Sequence, residues 1–247
     1  MCDSCSGVTS KMTLLKFVND GTAGWATTYS QWHPSSQYET LLLVHPSVEW
    51  NSWQPYRSLF HTVVAVGDFD PKMSIDNMSA MVVHLWNQTN YNKLVYVDPS
   101  SIFIDSCNFL MDFEPFAATP NPTLPDTFLL QLMVIQPDAN RFSELVSKLS
   151  LRGDTTTVPL LHFMNQQLSY WYQSTPKHRI GTVFNSRLDL HRGLEVDEKP
   201  WKILTFYNHN IPHDRSSETA KIWVKIVCNM RDAERTGTLL DPLCGVP

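Results

Sequence analysis

The feature that most limits the folds open to this chain is a series of short β-rich runs, each closed off by Pro, Asn, Asp or Gly. They are TLLLVHPSV (40–48), LFHTVVAVGDF (59–69), AMVVHLWNQT (80–89), KLVYVD (93–98), SIFIDSC (101–107), TFLLQLMVIQP (127–137), RIGTVFNSRLDL (179–190), WKILTFYN (201–208) and AKIWVKIVCNM (220–230), with TLLKFVN (13–19) as a further candidate. Their β-branched and aromatic content suits a pleated, half-buried surface, and the segments between them, such as GDFDP, NQTNYN, VDPSS and HNIPHD, carry the residues that turns require. Many short strands separated by turns predict an all-β protein, either a sandwich or a barrel.

Two helices interrupt this pattern, both in one long connection between strands. In DANRFSELVSKLSLRG the apolar Phe142, Leu145, Val146 and Leu149 recur at helical spacing, with Asp138 or Asn140 as N-cap and Gly153 as the residue that ends the helix. TVPLLHFMNQQLSYWYQS follows, with Thr157 as cap, Pro159 in the first turn and a stripe of Leu161, Met164, Leu168 and Trp171 or Tyr172. The Pro-rich FEPFAATPNPTLPD (113–126) reads as a surface loop, because proline has no amide donor for a sheet ladder. The expected division is an N-terminal arm over 1–37, the sandwich over 38–230 and a C-terminal arm over 231–247.

Charge and composition exclude several function classes. With a net charge of −5 and no run of Lys or Arg, the chain is not built to neutralise a nucleic-acid backbone. No apolar run approaches the length of a membrane span, and the N-terminus MCDSCSGVTSK shows no signal-peptide pattern. Charged residues make up only 17% of the chain, which also holds eight Trp, eight Tyr and twelve Phe, a balance typical of contact surfaces as well as of a wide sandwich core. Five cysteines, with Cys2 and Cys5 as an isolated CxxC, form neither a disulfide framework nor a complete zinc site.

Catalytic patterns are equally sparse. Neither GxSxG, GxxxxGK[ST] nor GxGxxG occurs, and Cys107 and Cys228 lie inside apolar runs where a thiol is inert. His209 and His213 in YNHNIPHD read as turn residues rather than metal ligands, and the acidic pairs lie in turn-like sequence. No enzyme activity, cofactor or metal is expected. Arg152-Gly153-Asp154 resembles an integrin-binding tripeptide and so suggests receptor binding; the same residues also suit a helix end followed by a cap.

KLVYVDPSSIFI (93–104), with its strand-turn-strand around Pro99, and PWKILTFYNHNIPHDRSSETAKIWVKIVCNM (200–230) together resemble the picorna-like viral capsid subunits. That resemblance implies an all-β fold, a single jelly-roll-type antiparallel β-sandwich, and a structural role: a subunit of a small non-enveloped virus, assembling with copies of itself and other capsid chains into an icosahedral shell, with a host receptor as further partner. It places the chain in the virion, assembled in host cytoplasm, with Trp223 facing outward or toward a neighbour. Two other readings stay open. A carbohydrate-binding β-sandwich would use Trp25, Trp32, Trp50 and Trp53 as stacking platforms, and a cupin-like metalloenzyme would need a bound metal.

Overall fold

The computed structural model describes residues 38–45, 60–67, 80–122, 125–151, 160–173, 175–184 and 202–205, the backbone of 9–15 and 186–187, and positions 29, 48 and 57. Its strands are β1 (Thr9–Leu15), β2 (Glu39–Val44), β3 (Thr62–Ala65), β4 (Lys93–Val97), β5 (Ser101–Phe103), β6 (Ala117–Pro120), β7 (Phe128–Ile135), β8 (Ser186–Arg187) and β9 (Ile203–Thr205). Six of them form one sheet in the order β3-β2-β1-β4-β7-β6. The first four run parallel, with registers Leu41↔Thr62, Met12↔Leu41 and Met12↔Tyr96. β7 lies antiparallel to β4 and β6 antiparallel to β7. A second, three-stranded sheet, β5-β9-β8, extends from the turn after β4.

This arrangement overturns the expected all-β jelly roll. The decisive residues are those of TLLLV and KLVYV, which do not alternate apolar with polar. In β2, Leu41 and Leu43 belong to one apolar cluster while Leu42 and Val44 belong to another; in β4, Leu94 and Tyr96 face the first cluster and Val95 and Val97 the second. β7 divides in the same way, with Met133 and Ile135 on one side and Leu132 and Val134 on the other. A sheet with both faces covered needs continuous apolar strands, which is the signature of parallel α/β packing rather than of a sandwich with one wet face.

Helices and loops supply the cover. On one face lie α1 (Ala139–Ser150), α2 (Leu160–Gln167) and a 3-10 helix at Met81–Leu85, whose Leu145, Leu149, Phe163, Met164 and Val83 complete the first cluster. The opposite face is covered by Tyr29, Phe60, Phe103, Leu110, Ile180 and Ile203. Asp138 caps α1 as expected, its Oδ1 accepting from Arg141 N at 2.8 Å. Gly153, Thr157 and Pro159 lie outside the described residues, as does the expected strand at 220–230.

Two further segments differ from their sequence reading. AMVVHLWNQT folds as the Met81–Leu85 helix, all five residues of which are buried; a run that is apolar on every side has no period from which to tell strand from buried helix. Within the Pro-rich 113–126, Ala117–Pro120 forms the edge strand β6, with the proline at its last position, where a missing amide costs least. The segment 1–37, expected as an arm, supplies β1, which pairs on both sides within the main sheet.

One buried amide ties α2 to the start of β7. Asn165 Oδ1 accepts from Phe128 N at 2.9 Å, and its Nδ2 donates to Phe128 O at 3.0 Å and to Leu161 O at 2.9 Å, so the side chain stands in for a neighbouring strand. Asn165→Leu keeps the volume but strands both backbone groups of Phe128 in the core, and is expected to lower unfolding free energy by about 3 kcal/mol, read as a lower urea midpoint at unchanged slope. A midpoint equal to that of the wild type would show that the amide is dispensable.

Candidate functional site

Polar groups gather where the doubly covered strands end. From β1 the chain adds β2 and β3 to one side of the sheet and β4 to the other, so the order reverses between β1 and β4. In open sheets of this kind ligands bind in the crevice outside the carboxyl ends of the strands at such a reversal, where the connections diverge and leave room. Asp98 is the residue that directly follows β4 at this point.

The turn after β4 is shaped by that aspartate. Asp98 N donates to Gln131 O at 2.8 Å, which carries the pairing with β7 one residue past the strand, and Asp98 O accepts from Ser101 N at 2.9 Å to close the turn over Pro99. Its Oδ1 accepts from Ser100 N at 2.8 Å and from Ser100 Oγ at 2.5 Å, the local bond by which an aspartate bends its own backbone. Oδ2 accepts from the Tyr96 hydroxyl at 3.1 Å. Tyr96 and Asp98 are two apart along an extended chain and so project to the same side, which makes this contact possible. Burial, then the charge of Asp98 and the hydrogen bond to it, push the Tyr96 hydroxyl well above its usual range. Beyond the turn, Ser101 Oγ and Thr205 Oγ1 share a hydrogen bond of 2.8 Å that fastens β5 to β9.

A second polar group occupies the carboxyl ends of β2 and β3. His45 follows β2, and Gly67 lies two residues past β3. His84, from the Met81–Leu85 helix, donates through Nε2 to Gly67 O at 3.0 Å, its ring 5.4 Å from that of Phe142. Burial lowers the His84 pKa, the Gly67 bond raises it and the charge of His45 lowers it, with a net downward shift. Among the described residues no three His, Cys, Asp or Glu side chains gather closely enough to hold a metal ion.

Arg152, Gly153 and Asp154, and Trp25, Trp32, Trp50, Trp53 and Trp223, all lie outside the described residues, as do His209 and His213. Asp98, by contrast, was visible only as turn punctuation in VDPSS. The one signal in its favour was its place directly after an apolar strand, which acquires meaning only once that strand is known to be parallel and central.

The fold is shared with solved glycosyltransferase structures. The galactosyltransferase LgtC, solved in complex with donor and acceptor sugar analogues, superposes with a TM-score of 0.63 at 10% identity, over 95% of this chain and 99% of that one. The glycosyltransferase GlyE of Streptococcus pneumoniae TIGR4 superposes with a TM-score of 0.67 at 10% identity, over 92% of this chain and 64% of that one. This is a glycosyltransferase fold.

Sequence relatives point the same way. Glycogenin of Neurospora crassa is 28% identical over 131 residues, 48% of this chain and 19% of that protein. Human glycogenin-1 is 31% identical over 71 residues, 29% of this chain and 20% of that protein. The putative UDP-glucuronate:xylan alpha-glucuronosyltransferase 5 of Arabidopsis thaliana is 24% identical over 152 residues, 58% of this chain and 26% of that protein. The match thus spans about a fifth to a quarter of these relatives' length, and no protein-family model matches the sequence.

These findings correct the sequence reading on several counts. A picorna-like capsid subunit, a lectin-like sandwich and a cupin are all overturned, since the fold is a glycosyltransferase fold and the relatives are named enzymes. With them go the expectation of no enzyme activity and the capsid-chain and host-receptor partners. The virion and host-cytoplasm location falls too, because the relatives are enzymes of a fungus, a mammal and a plant. The capsid resemblance rested on strand-turn-strand segments, and such segments recur in any fold with short strands.

His84 supplies a test of the local electrostatics. Unfolded, the group titrates near its usual 6.5; folded, it titrates lower. The unfolded chain therefore binds more protons below pH 6.5, and the His84 contribution to stability, complete above that pH, is lost as pH falls toward the folded value. Urea midpoints measured from pH 7.5 to 5.0 are expected to fall more steeply for the wild type than for His84→Gln. Parallel curves would refute the shift.

Proposed function

We propose that this chain transfers a sugar residue from a nucleotide-sugar donor to an acceptor hydroxyl, with Asp98 contacting the donor. The observation that carries the reading is the placement of Asp98 at the carboxyl end of β4, at the reversal of strand order in a glycosyltransferase fold. A carboxylate in that crevice accepts hydrogen bonds from the hydroxyls of a ribose or a transferred sugar, an interaction strengthened by its charge. The donor class is supported by the Arabidopsis relative, whose name specifies UDP-glucuronate, and by the donor sugar analogue held by LgtC.

In the reaction the bond between the anomeric carbon of the sugar and the diphosphate oxygen breaks, and its electron pair leaves with the diphosphate. An oxygen of the acceptor hydroxyl forms the new bond to the same carbon, and the hydroxyl proton is released. The contribution of this chain's own residues is to seat the donor at the end of a rigid strand, so that the anomeric carbon presents a constant geometry to the acceptor.

The test is to incubate the protein with UDP-glucose, UDP-galactose and UDP-glucuronate, with and without glycan acceptors, and to measure released UDP and transferred sugar. At least one donor is expected to be consumed, and Asp98→Asn is expected to lower its kcat/KM roughly 10–100-fold, the range for hydrogen bonds to a charged group. Absence of UDP release from all three donors, with no rise in Tm on adding UDP, would sink the reading.

A further inference from the structure

The geometry points to Tyr96 and Ser100 as positioning residues that hold the Asp98 carboxylate from its two sides and thereby set the donor affinity of the site. This inference rests on the reading of Asp98 as a donor contact and extends it to residues that act through that carboxylate.

Tyr96 approaches from within the sheet. Its ring is buried in the first apolar cluster, where packing fixes its position, and its hydroxyl donates to Asp98 Oδ2 at 3.1 Å. Because that hydroxyl is pushed well above its usual range, it remains protonated, and a donor, throughout the pH range of ordinary assays. Ser100 approaches from the turn, donating to Oδ1 through both its backbone N and its Oγ. Asp98 and Ser100 are both buried, at 7% and 5% exposure, so neither bond competes with bulk water.

The support extends outward on both sides. The next residue, Ser101, begins β5 and is fastened to Thr205 of β9 through its side chain, which holds the far end of the turn. The near end is held by Asp98 N on Gln131 O of β7. A carboxylate braced between two strands and a fastened turn has little rotational freedom left to lose when a ligand arrives, so removing a brace is expected to weaken donor binding more than it slows the chemical step.

The experiment is a set of mutant cycles read by steady-state kinetics on the UDP-sugar that the wild type consumes, with urea unfolding as the check on folding. Tyr96→Phe and Ser100→Ala are each expected to raise donor KM roughly tenfold with kcat changed less than threefold, the scale of one hydrogen bond to a charged group. Each double variant with Asp98→Asn is expected to be no worse than Asp98→Asn alone, since a brace has no effect once its carboxylate is gone. A purely structural role would lower the urea midpoint and leave donor KM in place. The positioning role is overturned, and the donor-contact reading left standing, if Asp98→Asn is impaired while the brace variants keep a wild-type KM, or if the effects multiply in the double variants. Wild-type kinetics in Asp98→Asn would overturn both together. Should Tyr96→Phe fail to fold, Ser100→Ala decides the matter by the same readouts, because it removes only the hydroxyl on the turn.

Discussion

A strand covered on both faces has no water to which its polar groups can turn. β2, β4 and β7 are in this position: their side chains pass alternately into two separate apolar clusters, and their backbone groups are satisfied by neighbouring strands. Polar side chains are therefore few in the strand interiors, Thr40 of β2 and Gln131 of β7 among them, and gather where the ladders end. His45 and Asp98 directly follow β2 and β4, and the polar edge of the sheet is a by-product of the way its core is closed.

The same rigidity gives the site its geometry. Tyr96 is anchored as part of the core, yet its hydroxyl reaches Asp98, two residues on and on the same side of the chain. A buried tyrosine with its polar tip on a carboxylate couples packing to electrostatics: the apolar cluster positions the ring, and the ring positions the charge. The covering elements are held to the sheet by comparable devices. Asn165 reproduces a strand's hydrogen bonds for Phe128, and the Arg179 guanidinium lies 4.2 Å from the Trp171 ring centre while pairing with Asp126.

Resemblance by pattern misled where superposition did not. Strand-turn-strand segments such as KLVYVDPSSIFI occur in sandwiches and in mixed sheets alike, because a local turn imposes nothing on the direction of more distant partners. β4 and β5 do follow one another around Pro99, yet they belong to different sheets, β4 pairing with β1 and β7 and β5 with β9. The agreement with LgtC over almost the whole of both chains is a statement about all of these partners at once.

What the amino-acid sequence determined by itself was local. The run at 40–48 covers all of β2 but Glu39, the runs at 93–98, 101–107 and 127–137 contain β4, β5 and β7, and the helical period of Phe142, Leu145, Val146 and Leu149, with Asp138 as its cap, marks α1. Turn chemistry around Pro99 was legible for the same reason, since it depends on residues within hydrogen-bonding reach along the chain. Strand direction, the helical fate of Met81–Leu85 and the edge strand within the Pro-rich segment were decided by tertiary structure. Each depends on which partner lies alongside and on whether one face or two are covered, and contacts between residues distant in sequence leave no local period to read. Asp98 shows the division most clearly: its side chain bends its own turn by local bonds, but only tertiary structure sets that turn at the reversal of strand order between β1 and β4.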